Sequence, residues 1–349
     1  MTPISSTNLP QSLRVILVGA GGRIAQKHLQ AILSIPRLHL AALVDTHADW
    51  TPPAHLDHIP QFTNLTDALA ANTYDIAVIC SPSGLHTHHV SQCLEAQMHV
   101  LCEKPVTRSL QCFERVLKLS KENGKLLVPC HQTRLYPSFQ FALSLIQSES
   151  LGRIHSLNLN LQLCRPQRYF DEAPWRGALG MDGGVLWNQS THLLDWLLSF
   201  MPPTPYELFS YQGTYRRAIE SPDIASMLLL FHGGMATIST SVLAEPSNFE
   251  SVLSVLGDRG FVQLGGPGAR HITRLSYQDM PSVDIDALNA QSDEIAAQGH
   301  APLYHSLLTW ISGQHHETLD ALQQRALWGI KLIELSELSV KTHAPQPWR

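Results

Sequence analysis

From Leu13 onward, short apolar runs alternate with stretches of helical period. The runs Leu13–Val18, Leu38–Val44, Tyr74–Cys80, His99–Cys102 and Lys125–Cys130 have strand length. Between them, Ile24–Leu33, Leu65–Ala71, Thr87–Ala96 and Ser109–Glu122 repeat apolar residues at helical spacing. Thr46–Gln61, rich in Pro, His and Asp, reads as a loop, and Ser81-Pro82-Ser83-Gly84 as a turn. Strands spaced by helices predict a parallel sheet covered on both faces. Ligands of such sheets bind beyond the C-terminal strand ends.

The pattern changes after about residue 150. Leu157, Leu159, Leu161 and Leu163 alternate with Asn158, Asn160 and Gln162, which describes a strand with one buried face. Further strands are expected at Leu208–Tyr215, Ala225–Phe231, Ala236–Val242, Ser251–Leu256 and Phe261–Leu264. Gly233-Gly234 and Asp258-Arg259-Gly260 mark hairpins. The sheet is therefore largely antiparallel. Helical runs at Leu303–Ile311 and Leu319–Val340 close the chain. The fold class is α/β, with a flexible tail over 1–12, a parallel-sheet domain over 13–130 and a second domain with a largely antiparallel sheet over 131–349.

Composition narrows the function. A chain of 349 residues with 44% hydrophobic residues fills two domain cores. Net charge is −5, without a basic block, so a nucleic acid partner is not expected. Met1–Ser12 has neither a basic start nor an apolar core of its own, so it is not read as a signal peptide. No apolar run reaches membrane-spanning length. None of the six cysteines forms a C-x-x-C pair, and reduced buried thiols of a cytoplasmic protein are expected.

Candidate chemistry gathers at the predicted strand ends. Gly19-Ala20-Gly21-Gly22-Arg23-Ile24-Ala25 lies between strand and helix. The strict G-x-G-x-x-G spacing fails at Ile24, but Gly19, Gly22 and Ala25 supply a tight turn, close backbone approach to a pyrophosphate and close helix packing. Phosphates would then face a helix N-terminus. Asp45 ends the second strand, where a carboxylate accepts from a ribose diol and repels a 2′-phosphate. NAD is therefore expected over NADP, with Arg23 partly offsetting the repulsion.

Glu103-Lys104-Pro105 follows a later strand. Pro105 restricts Lys104 to extended geometry. An isolated strand-end lysine is an ordinary surface residue, but behind a dinucleotide unit its amine can relay a proton. Glu103 could orient Lys104 or bind cofactor ribose. Asp182 reads as the N-cap of an apolar helix over Val185–Phe200. Asn188, His192 and Asp195 are its polar exceptions, within about 60° of one another on a regular helix. Such a stripe is either an internal hydrogen-bond cluster or part of a reaction site. His86, His88 and His89 lack acidic partners at metal spacing, so no metal is expected. His86 is read as lining the cofactor cleft.

Taken together, these residues resemble the Gfo/Idh/MocA family of sugar oxidoreductases. The likeness runs through the glycine turn with His28, Asp45, Ser81-Pro82 with His86, and Glu103-Lys104-Pro105. It continues through Asp182-Gly183-Gly184, Asn188-x-x-x-His192-x-x-Asp195 and Pro302-Leu303-Tyr304. The resemblance implies a Rossmann domain, then an α/β domain whose open-faced sheet forms homodimers or homotetramers. It implies Lys104 and His192 as the catalytic pair and Asn188 as a substrate contact. Cofactor contacts would come from Gly19, Gly21, Gly22, Arg23, Ile24, Asp45, Ser81, Pro82, His86, Glu103 and Lys104.

Gly19–His28, Tyr169–Gly177 with Trp175-Arg176-Gly177, and Asn248–Gly266 are similar to the WlbA/WbpB-type branch, which oxidises UDP-N-acetylglucosaminuronic acid at C3. Arg165, Arg168, Tyr169, Trp175 and Arg176 are then substrate candidates, the arginines for a carboxylate or diphosphate. The expected activity is NAD-dependent oxidation of a ring hydroxyl in a sugar or sugar nucleotide. Three alternatives stay open: a non-catalytic dinucleotide and sugar sensor, a free sugar or polyol substrate, and dehydration or glycoside cleavage with tightly held NAD.

Overall fold

The structure is a computed structural model that describes residues 12–47, 50–201 and 205–348. The expected N-terminal tail falls almost entirely outside the described residues. Two compact units form, Met1–Gln132 with Gln298–Leu327, and Thr133–Ala297 with Trp328–Arg349. The sequence places Gln298–Leu327 with the second half, whereas its contacts lie in the first unit. Helix Ala301–Ile311 packs on helix Ala25–Ser34, and Gln323 Nε2 donates to the Leu127 carbonyl at 2.7 Å.

The first unit holds a six-stranded parallel sheet: β1 (Leu13–Val18), β2 (Leu38–Val44), β3 (Gln61–Phe62), β4 (Ile76–Ile79), β5 (His99–Cys102) and β6 (Leu127–Pro129). Their order is β3-β2-β1-β4-β5-β6. Val15, Ile16, Leu17, Ala77 and Val78 are fully buried, as expected for strands covered on both faces. The order reverses between β1 and β4, so ligand-binding loops meet at their C-terminal ends. Two details differ from the sequence reading. The expected loop Thr46–Gln61 contains a 3-10 turn at Ala54–Leu56, and β3 begins at its last residue. The third helix begins at Ser83, because Pro82 stands at its N-cap and Gly84 continues the helix.

The second unit holds an eight-stranded sheet: β7 (Ile154–Gln162), β8 (Pro205–Gly213), β9 (Ile224–Phe231), β10 (Gly234–Ser241), β11 (Glu250–Gly257), β12 (Gly260–Gly265), β13 (His271–Tyr277) and β14 (Gln346–Pro347). Their order is β13-β12-β11-β7-β10-β9-β8-β14, antiparallel throughout except between β7 and β10. Alternation sets the two faces. Leu157, Leu159, Leu253, Val255, Leu229 and Ile238 are buried. On the other face Asn158 accepts from Thr237, Gln162 donates to Ser239, and Gln263 donates to Ser254. Helix Thr191–Phe200 packs beside β7 and β11, with Trp196 and Phe200 against Phe139 at ring distances of 4.8 and 5.2 Å.

The expected single helix Val185–Phe200 is a correction. Val185–Gln189 is a π-helix, and the α-helix runs from Thr191 to Phe200. The cause is local: the Ser190 N–H and hydroxyl both donate to the Val185 carbonyl, at 3.0 and 2.8 Å, which widens the turn. The regular-helix spacing assumed for Asn188 relative to His192 therefore does not apply. Asp182 also departs from its expected N-cap role. Its Oδ2 accepts from Gly177 N–H at 3.0 Å, and Oδ1 accepts from the Asn188 amide. All six cysteines are free, with Cys80, Cys93, Cys102 and Cys130 buried. Among the described residues, no helix is long and apolar enough to cross a membrane.

Candidate active site

Gly19 turns the chain off β1 with φ +83°, a conformation that L side chains rarely adopt. Its N–H donates to the Val44 carbonyl at 2.8 Å. A Cβ there would stand 2.5 Å from the Ser81 backbone nitrogen, so glycine lets the β1 and β4 loops approach. Gly22 N–H closes the turn on the Gly19 carbonyl at 3.1 Å. Asp45, directly after β2, accepts from Gly21 N–H at 2.8 Å through Oδ2 and from His47 N–H at 2.9 Å through Oδ1. The acid therefore braces the glycine loop. Arg23 is exposed and Ile24 is half-buried at the entry to helix Ala25–Ser34. This donor set suits a dinucleotide: a glycine cradle, a helix N-terminus for phosphate and a carboxylate on the neighbouring strand.

His86 ties together the loops after β4 and β5. It is buried, with Nδ1 2.7 Å from the Pro105 carbonyl and Nε2 2.7 Å from the Ser81 carbonyl. Burial pushes its pKa down, and the two carbonyls partly offset this. Ser81 Oγ meets His89 Nδ1 at 2.9 Å, and burial lowers His89 to about 4. His86 and His89 thus make loop contacts, and His88 is exposed.

Glu103 is buried beside the half-buried Lys104. Its Oε2 accepts from the Lys104 backbone N–H at 3.2 Å, and Oε1 from His28 Nε2 at 3.1 Å. Burial opposes its charge, but the hydrogen bond from His28, with the His300 ring and Lys104 close by, outweighs that, holding the carboxyl well below its usual range. This contact engages the Lys104 backbone.

The remaining candidates lie in the second unit. Arg165, Tyr169, Trp175 and Arg176 form one cluster. The Arg176 guanidinium lies 4.6 Å from the Tyr169 ring centroid and 5.5 Å from that of Trp175, and Arg165 lies 5.6 Å from Tyr169. Arg176 Nη1 donates to the Tyr169 carbonyl and to Glu172, each at 2.7 Å, so this arginine is engaged within its own loop. Gln189, on the π-helix, accepts from Arg165 Nε at 3.1 Å and donates to the Tyr169 hydroxyl at 3.2 Å. Asp182 links the same loop to Asn188. Arg168 is exposed, and Asn188 and His192 are half-buried. Asp195 Oδ2 accepts from Arg134 Nε at 2.7 Å.

Sequence reasoning passes over two features. Trp50 lies against the glycine loop, where a Cβ on Gly21 would fall 3.0 Å from Trp50 Cδ1. A lone tryptophan five residues past Asp45 was the available signal. His300, which no motif names, approaches Glu103, nearly 200 residues away in sequence, and Tyr304, quoted above only within Pro302-Leu303-Tyr304, meets His28. No local pattern announces that meeting.

Comparison with known proteins agrees with this geometry. Residues 13–131 match the model of the Gfo/Idh/MocA oxidoreductase family with its NAD-binding Rossmann fold, and residues 139–263 match the Gfo/Idh/MocA C-terminal domain. The uncharacterised oxidoreductase YrbE of Bacillus subtilis is 25% identical over 257 residues, 70% of this chain and 71% of that protein. The WlbA dehydrogenase of Bordetella pertussis, solved in complex with NADH and UDP-GlcNAcA, is 28% identical with TM-score 0.91, covering 98% of this chain and 99% of that one. The WlbA dehydrogenase of Chromobacterium violaceum, solved with the same two molecules, is 27% identical with TM-score 0.87, covering 100% and 98%. The chain belongs to the Gfo/Idh/MocA family and is an NAD-dependent oxidoreductase acting on CH–OH groups.

Proposed function

We propose that this enzyme oxidises the C3 hydroxyl of a UDP-linked N-acetyl-hexuronic acid. The observation that carries the reading is the full-length likeness to the Bordetella WlbA dehydrogenase at TM-score 0.91 and 28% identity. The Tyr169–Gly177 loop supports it, because its aromatic and arginine side chains form one packed cluster.

NAD, held along Gly19–Ile24 with Asp45 toward the adenosine ribose, would supply the hydride acceptor. Lys104 or His192 takes the hydroxyl proton, and Glu103 holds the Lys104 backbone. His86 keeps the Ser81-Pro82 and Lys104-Pro105 turns together. Asp182 orients the Asn188 amide for a sugar hydroxyl. Arg165 and Arg168 meet the substrate's anionic groups, while Arg176 stiffens the loop by packing on Tyr169 and Trp175.

The test is NADH formation with UDP-GlcNAc, its uronate, myo-inositol and glucose. Turnover of the uronate, with UDP-GlcNAc much poorer, is expected. Activity on a free polyol alone would discard the substrate while keeping the chemistry. Tight NAD binding without turnover of any of the four would favour the non-catalytic sensor.

A further inference from the structure

Four buried side chains form a row that ends, through Glu103, at the backbone of Lys104, and the reading above uses only one of them. Tyr304 Oη lies 2.8 Å from His28 Nδ1, and His28 Nε2 lies 3.1 Å from Glu103 Oε1. His300 turns Nε2 toward the same carboxylate oxygen at 3.4 Å, its ring centroid 4.4 Å from that of His28. The other Glu103 oxygen accepts the Lys104 backbone N–H at 3.2 Å. His28, His300 and Tyr304 are at most 1% exposed.

The proton positions in this row are determined by chemistry. Burial pushes His28 down, which keeps it neutral, and pushes Tyr304 well up, which keeps its hydroxyl proton. A neutral imidazole donates from one nitrogen and accepts at the other. Tyr304 therefore donates to Nδ1, and Nε2–H donates to the Glu103 carboxylate. Each bond in the row fixes the direction of the next.

We propose that His28, His300 and Tyr304 are positioning residues for the reaction: they fix the buried Glu103 carboxylate, and through it the backbone of Lys104. This rests on the reading in which Lys104 acts on the substrate hydroxyl. The row couples the start of the chain to helix Ala301–Ile311, which explains why a segment so late in sequence belongs to the first unit.

The same neighbourhood admits another use. His28, Glu103, Cys130 and His300 offer four donor atoms within 4.8 Å of one another. The direct His28–Glu103 hydrogen bond and the Tyr304 hydroxyl on the opposite ring nitrogen account for the placement without an ion. Metal content therefore belongs in the test. The other titratable groups that bear on Glu103 are Cys80, Cys102, Cys130, His86 and Lys104.

The experiment compares His28→Leu, His28→Gln, Tyr304→Phe and Glu103→Gln, with folding checked by circular dichroism and NAD affinity by titration. Each folded variant is assayed on whichever substrate the wild type oxidises, across pH. Hydrogen exchange of the Lys104 amide is read by NMR, which needs no substrate. His28→Leu should lower kcat by about 10–100-fold, the scale of small misplacements at a reacting group. KM should change much less, and the Lys104 amide should exchange faster. His28→Gln, whose amide can still donate to Glu103, should recover most of the kcat. Glu103→Gln removes a buried negative charge, so the limb of its pH–rate profile should move to lower pH.

Should His28→Leu fail to fold, Tyr304→Phe carries the test, since it removes only one hydroxyl. Folded variants with wild-type kcat, pH profile and Lys104 exchange would overturn the proposal. So would one equivalent of zinc in the purified wild type that His28→Leu no longer holds. Wild-type protein without turnover on any substrate, yet with faster Lys104 exchange in the variants, would defeat the catalytic reading and leave the positioning row standing.

Discussion

Replacing Gly19 with alanine tests whether the β1 turn is built for close approach. Two costs add at this position. The first is conformational: φ +83° costs a side-chain-bearing residue about 1–2 kcal/mol. The second is steric. The new Cβ would stand 2.5 Å from Ser81 N, 2.7 Å from the Cys80 carbonyl carbon and 2.8 Å from its oxygen. All three are backbone atoms, so no flexible side chain can yield. The two strand ends must part, which strains the Cys80 N–H to Val18 carbonyl bond of 2.7 Å and the Gly19 N–H to Val44 carbonyl bond of 2.8 Å. At about 1 kcal/mol for each bond, the total is about 3–4 kcal/mol.

Gly124→Ala is the control. Gly124 has φ +61°, but a Cβ there meets nothing within 4 Å. It should lose only the conformational part, about 1–2 kcal/mol. Urea unfolding measures both variants, and fluorescence titration measures NAD affinity. Gly19→Ala should bind NAD at least about tenfold more weakly, whereas Gly124→Ala should match wild type, because only the former displaces the dinucleotide loop. Equal stability loss and equal NAD affinity in the two variants would refute the reasoning.

Lys104→Ala and His192→Ala should each fold and bind NAD but lose turnover by about 10²–10⁴, measured as NADH formation; near wild-type rates in both would reject their roles. Asp45→Asn should narrow the preference for NAD over NADP by at least about tenfold, since a like charge at contact costs about 1–4 kcal/mol. Dinucleotide titrations check this, and a wild type that already prefers NADP would defeat it. Stability should fall as pH drops from about 6.5 to about 4, because burial lowers His89 and His99 to about 4 while the unfolded chain takes up protons from 6.5 downward. Glu103, held below its usual range, should extend the loss at lower pH, since its contribution is present above the unfolded pKa and disappears as pH falls through the folded one. His99 Nδ1 accepts the Leu126 N–H, so His99→Gln should flatten the slope of urea-unfolding stability against pH, and an unchanged slope would count against it.

The local patterns at Leu13–Val18, Leu38–Val44 and Leu65–Ala71 give these elements with the bounds found in the structure, because period and punctuation act within a few residues. The hairpins at Gly233-Gly234 and Asp258-Arg259-Gly260 were legible for the same reason. Strand-end positions of Gly19, Asp45, Ser81 and Lys104 also followed from order along the chain, since parallel strands put successive C-terminal ends on one edge. The π-turn at Val185–Gln189 was not legible. It depends on one serine donating twice to one carbonyl, a choice that helical periodicity does not encode. Arg134 as the partner of Asp195, and Tyr169 and Glu172 as partners of Arg176, were likewise invisible, because long side chains find whichever acceptor packing brings near. The buried row from Tyr304 through His28 to Glu103 belongs wholly to tertiary structure. A buried carboxylate must find donors, and only the return of the late helix to the first unit brings His300 and Tyr304 to it.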